Sequence, residues 1–156
     1  MKKNLLAFSL TLSFTTVSTF AATSANLLIK GTVPSVVSIA VVAETIATSL
    51  PLDLTQSNTR VAKVTEKTNA VNGYKVTVES VNKGKLLRSG GTEQFGYNLA
   101  YNGQALNLIT PAPINYSSSV KGEQVRDVNI SYTGIPSESM VAGDYVDTVT
   151  FSIAAN

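Results

Sequence analysis

The sequence predicts an all-β chain, an immunoglobulin-like antiparallel β-sandwich. Three observations predict it. Apolar and polar residues alternate with period two in run after run, as strands with one face on a core and the other in water require. Beyond residue 21 there are 17 Val and 14 Thr, β-branched residues that favour strands over helices. Gly- and Asn-containing turn signals separate the runs at sandwich spacing. No heptad, long helical stripe, repeat or low-complexity tract competes with that reading.

The first element is not part of the fold. Lys2 and Lys3 precede an apolar run from Leu5 to Phe14, then Ser, Thr and small residues. This is the layout of a secretory signal peptide over residues 1–21, cut after Ala21 or, as second choice, after Ala25. The rival is an uncleaved anchor, which the absence of charge from residue 4 to 29 favours. Seven Ser and Thr residues between Ser9 and Thr19 dilute the span against it. Residues 22–33 follow as an N-terminal extension, with Ala25, Leu27, Ile29, Gly31 and Val33 on one face. Gly31 marks either a bulge or a bend into the body. The body is expected over residues 34–156.

Strands are expected near 34–43, 50–55, 60–68, 73–81, 95–101 with 104–109 as hairpin partner, 124–132 and 145–154. Each has its own pattern. Tyr74, Val76 and Val78 oppose Lys75, Thr77 and Glu79. Phe95, Tyr97, Leu99 and Tyr101 share a face. Val128, Ile130 and Tyr132 oppose Asp127, Asn129 and Ser131. Val149, Phe151 and Ile153 oppose Thr148, Thr150 and Ser152. Asn72-Gly73, Asn82-Lys83-Gly84 and Gly143-Asp144 supply turns, and Asn102-Gly103 is a two-residue hairpin signal. Pro111 and Pro113 mark a loop or an edge. Residues 117–123 read as a solvated loop.

Composition narrows the chemistry. With no His, Cys or Trp, imidazole- and thiol-based catalysis, disulfides and Cys- or His-ligated metals are excluded. Removing Lys2 and Lys3 leaves ten basic groups against ten acidic ones. The net charge is then near zero and nothing favours a nucleic-acid partner. Asp144 and Asp147 flank Tyr145, but Asp in a Gly-Asp turn is ordinarily a local hydrogen-bonding residue. Lys83, Lys85 and Arg88 read as a solvated loop, as do Ser117, Ser118 and Ser119. Tyr97, Tyr101, Tyr116, Tyr132 and Tyr145 could form a sugar platform, but alternation turns several inward. The expectation is no enzyme, no catalytic residue, no metal and no cofactor.

Five stretches together resemble a chaperone–usher pilin subunit: LLIKGTVPSVVSI (Leu27–Ile39), NGYKVTVES (Asn72–Ser80), YNLAYNGQAL (Tyr97–Leu106), DVNISYTGI (Asp127–Ile135) and VAGDYVDTVTFSIAA (Val141–Ala155). The second is similar to a strand of the spore coat protein U family, and the third to the hairpin of class 5 colonisation-factor pilins. Spore coat protein U relatives often carry a cysteine where this chain has Val36-Val37; class 5 pilins carry none.

The resemblance implies an incomplete sandwich whose final strand is supplied in trans. Ala25, Leu27, Ile29, Gly31 and Val33 would be the donor-strand face. Val149, Phe151 and Ile153 would line the acceptor groove on the terminal strand. Asn156 would present its carboxylate to a periplasmic chaperone. An outer-membrane usher would exchange the chaperone's strand for a neighbour's arm, building a head-to-tail homopolymer on the cell surface for adhesion or biofilm formation. Each of Leu27, Ile29 and Val33 would contribute about 1.5–3 kcal/mol if fully buried. The alternative is a self-complete secreted binding module for a glycan or protein, with the arm as its own first strand.

Overall fold

The computed structural model describes residues 24–118 and 121–156. The expected signal peptide, together with Ser119 of the predicted loop, lies outside the described residues. The chain divides into Met1–Thr32 and Val33–Asn156. In the first unit, residues 24–32 take no regular secondary structure and are exposed.

The second unit is an all-β sandwich of antiparallel strands. The strands are β1 (Val37–Ala43), β2 (Gln56–Thr68), β3 (Tyr74–Ser80), β4 (Lys85–Arg88), β5 (Gln94–Gly96), β6 (Asn98–Tyr101), β7 (Gln104–Ala105), β8 (Ala112–Tyr116), β9 (Gly122–Tyr132), β10 (Tyr145–Val146) and β11 (Val149–Ala155). They form a five-stranded sheet β1-β2-β9-β6-β7 and two three-stranded sheets, β10-β4-β5 and β11-β3-β8. The core lies between these sheets. Val64, Val76, Val78, Val128, Tyr74, Tyr101 and Phe95 are its most deeply buried members.

Several elements differ from the expectation, each for a physical reason. Residues 50–55 form no strand: a 3-10 turn (Thr45–Thr48) leads to a Pro51–Leu54 turn closed by Leu54 N–H to Pro51 C=O at 3.1 Å. Leu50 and Leu52 still pack on the core, so their apolar character reflects burial and not pleating. The run 95–101 breaks after Gly96. Its first part pairs with β4 and its second with β9, so one chain segment serves two sheets. Its hairpin partner is two residues long, not six, because Leu106 turns into a loop after Ala105. The run 145–154 breaks at Asp147-Thr148, with β10 on β4 and β11 on β3. Residues 85–88, expected as solvated loop, form a hairpin strand. There Arg88 Nε meets Glu93 Oε2 at 2.7 Å and Lys85 Nζ donates to Gln94 Oε1 at 2.8 Å.

The turns behave as their residues demand. Asn102 and Gly103 both take positive φ, 48° and 79°, as a two-residue hairpin requires. Gly73 (φ 79°) is more constrained: a Cβ there would stand 1.9 Å from the Tyr116 carbonyl oxygen.

The sandwich has two ends. At the root end, Asn69 ties the β2–β3 turn to the start of β1: Val36 N–H donates to Asn69 Oδ1 at 2.7 Å, and Asn69 Nδ2 donates to Pro34 C=O at 2.8 Å. The end of β11 meets the same turn through Asn156 N–H to Gly73 C=O at 3.1 Å. At the opposite, crown end, β1 finishes and β11 begins. β1 and β11 therefore run in opposite directions.

Candidate functional site: an apolar cleft between two free strand edges

Among the described residues, β1 ends the five-stranded sheet and β11 ends a three-stranded one, and the two strands lie side by side without pairing. Each is seven residues long and free of proline. The other sheet edges are blunted. β8 carries Pro113, which has no N–H to offer a new strand, and β5, β7 and β10 are only two or three residues long. Proteins guard exposed edges by such means. The β1 and β11 edges carry neither device.

Between them the interior is incompletely covered. The inward faces are Val37, Ile39 and Val41 on β1 and Val149, Phe151 and Ile153 on β11. Ile39, Val149, Phe151 and Ile153 pack on the core yet stay half-buried, and Val41 is exposed. Their register neighbours on the next strands, Val64 for Val41, Val78 for Phe151 and Val76 for Ile153, are fully buried. An apolar cavity of about 190 Å³ opens here. Ala43, Ala47 and Leu50 line one side, Val149 and Phe151 the other, with Leu99, Val128 and Ile130 below. It exceeds the ~150 Å³ of an engineered apolar cavity that admits benzene, so a branched side chain fits.

Polar clusters stand at both ends of the cleft. Toward the root end, Glu66 takes an inward position on β2 opposite Ile39 and is fully buried. Tyr74 OH donates to Glu66 Oε2 at 2.6 Å, Tyr101 OH donates to Glu66 Oε1, and Arg126 Nε donates to Oε2 at 3.2 Å. Tyr116 stacks on Tyr74 at 4.6 Å, and the Arg126 guanidinium lies 5.1 Å over the Tyr116 ring. Burial, and secondly the hydrogen bond to Glu66, push the Tyr74 hydroxyl up to about 12 and raise Tyr101 further. Burial opposes the Arg126 charge, but its contacts with Tyr74 and Glu66 outweigh burial and hold its pKa up. Toward the crown end, Asp147 accepts from Ser80 Oγ and Tyr97 OH, both at 2.6 Å, and from Asn82 N–H at 3.0 Å. It fastens the break between β10 and β11 to β3. Among the described residues no group of three acidic side chains could hold a metal ion.

Val149, Phe151 and Ile153 thus share one face at the rim of the cleft. Ala25, Leu27, Ile29 and Gly31 lie in the irregular segment 24–32, where Leu27 is 84% and Ile29 85% exposed; Val33 is 82% exposed. Leu28, on the opposite phase, is equally exposed. The Asn156 side chain is engaged, its Nδ2 donating to Asn72 and Tyr116 carbonyls at 3.2 Å. Sequence reasoning missed Ile39 and Ala43 as cleft residues, although Val37, Ile39 and Val41 alternate legibly. It also missed Glu66, whose signal was a carboxylate in the apolar phase of Val64-x-Glu66-x-Thr68.

No family model and no curated protein matches the chain. Among solved structures it is similar to HdaB, the minor tip subunit of the E. coli Hda pilus. The TM-score is 0.41 at 9% identity, covering 74% of this chain and 79% of that one. A likeness at that level decides nothing about this chain.

Proposed function

We propose that the chain is a structural subunit of a surface fibre, a pilin assembled by donor-strand exchange. One observation carries the reading. Two long, unguarded strand edges flank an apolar cleft whose rim residues, Ile39, Val149, Phe151 and Ile153, stay half-buried, and the same chain carries an apolar-alternating arm. A strand laid in the cleft would bond to the free backbone edges and bury alternate side chains, the general mode of β-strand addition. The arm of a second copy offers that strand through Ala25, Leu27, Ile29, Gly31 and Val33, and Val149, Phe151 and Ile153 accept it. Donor and acceptor surfaces differ, so the joint propagates as a head-to-tail filament.

The export signal and the five-part resemblance support a route through the periplasm to the cell surface. On this route a chaperone holds the cleft before an outer-membrane usher hands it on, and Asn156 is the proposed chaperone-contact residue. The fibre would serve adhesion or biofilm formation, without a catalytic site, a cofactor or a nucleic-acid partner. Deleting residues 22–33 tests the role of the arm. The truncated chain is expected to add to the acceptor end of growing filaments and to stop them there, and on its own to form none. Filaments of undiminished length from the truncated chain would refute donation. Stable soluble monomers of the full chain, produced without any chaperone, would favour the self-complete binding module.

A further inference from the structure

The crown end carries a second, larger cavity, of about 880 Å³. It lies between the loop after β1 and the loop before β10. Its apolar lining includes Leu50, Leu52, Leu86, Met140 and Val141. Ala47, Leu50, Leu86 and Asp147 line both this cavity and the cleft, so the two adjoin. At the opposite end of the sandwich, Val71 in the β2–β3 turn has 83% of its surface exposed, and Val36 just before β1 is exposed as well. Asn69, two residues before Val71, is hydrogen-bonded to Val36 and Pro34. The Val71 turn is therefore fixed next to the point where the arm joins the body.

We infer that the crown cavity is a docking site for the Val71 turn of a second copy, forming a second contact at each joint of the filament. The inference rests on the strand-donation reading above. If an arm lies in the cleft, its own sandwich cannot be far away. Only residues 33–36 separate arm from β1, and at about 3.3 Å per extended residue they reach about 13 Å. The root end of the donating copy must then lie against an end of the accepting cleft. The crown end offers a cavity that adjoins the cleft, and the root end offers an exposed apolar turn. A hollow meeting such a turn makes the head-to-tail contact, whereas root against root would set two exposed turns together. Docking would cover Val36, Val71 and Val141, and would add a second contact to a linkage made by the arm alone.

The chain has no cysteine, so paired cysteines report this contact cleanly. Val71→Cys is combined in the full-length chain with Ser137→Cys, Val141→Cys or Ala142→Cys at the cavity rim, and assembled filaments are oxidised. A disulfide needs Cα atoms within about 7 Å. At least one pair is expected to yield a covalent ladder extending beyond the dimer on a non-reducing gel, collapsed by reductant and absent from each single variant. Arm-dependent filaments that give no ladder with any pair would overturn the docking while leaving strand donation intact. Dimers from Val71→Cys alone would do the same, by showing root against root. Filaments that form without residues 22–33 would instead sink the donation reading, and this inference with it.

Discussion

Glu66 has more riding on it than any other side chain of the sandwich. It is a fully buried carboxylate held by two tyrosine hydroxyls and one guanidinium. Removing one partner of a buried pair leaves the other charge uncompensated, typically at a cost of about 3–5 kcal/mol. Glu66→Ala is therefore expected to lower unfolding free energy by about that much in urea titrations, and Glu44→Ala, whose pair with Arg60 is exposed, by less than about 1 kcal/mol. The buried tyrosines also set an alkaline limit. Tyr74, Tyr97, Tyr101, Tyr116 and Tyr132 all have raised pKa values, mainly through burial. Below the ordinary tyrosine value of about 10 both folded and unfolded chains keep their phenol protons, and this contribution is constant. Above it the unfolded chain ionises first while Tyr74 holds its proton to about 12. The folded state then binds more protons, so stability falls as pH rises. Thermal melts should be flat in this respect through neutrality and drop above about pH 10, with phenolate absorbance appearing at the unfolding transition. A melting temperature that holds constant while all phenols titrate would contradict the burial argument.

At the scale of elements, turns were the most legible features and edges the least. Asn72-Gly73, Asn82-Lys83-Gly84 and Asn102-Gly103 all form turns with positive φ, because Gly and Asn adopt that conformation readily whatever surrounds them; Lys83 takes it too, at 58°. Gly73→Ala should cost well over the ~1 kcal/mol of an unfavourable φ, since its Cβ would collide with the Tyr116 carbonyl oxygen; Gly103→Ala, open to solvent, should cost only that ~1 kcal/mol. Chemical denaturation of the two variants side by side checks the contrast. Strand existence was legible wherever one face is polar, as in β3, β9 and β11. The switch of residues 95–101 from one sheet to another was not, because both halves keep the same alternation and only the pairing partner changes. Nor was the loop character of residues 50–55. Leu50, Leu52 and Leu54 alternate like a strand, but Pro51 withholds an N–H, Leu50 and Leu52 cover the core from a turn, and Leu54 is exposed. β8 was ambiguous for the converse reason: Pro113 is tolerated because β8 is an edge.

For the whole molecule, the candidate site is a property of topology. Val149, Phe151 and Ile153 were recognisable as an inward face, but that β11 borders an open cleft depends on which strands fail to pair beside it. β1 contributes Ile39 and Ala43 from more than a hundred residues away in sequence, and no local pattern announces that approach. The arm and the body are expected to be separable. Ile29→Asp in the full-length chain should abolish filaments while leaving the unfolding of the sandwich unchanged, because Ile29 belongs to the exposed segment and not to the core. Electron microscopy and a melting curve on one preparation check both halves of that statement. The most direct test of the cleft itself is amide hydrogen exchange on the full-length chain, comparing filaments with the Ile29→Asp protein. If a neighbour's strand fills the cleft, the free-edge amides of β1 and β11 should exchange at least about tenfold more slowly in filaments, with β3 and β9 unchanged. Equal exchange of β1 and β11 in the two samples would show that the cleft stays open and that the subunits are joined elsewhere.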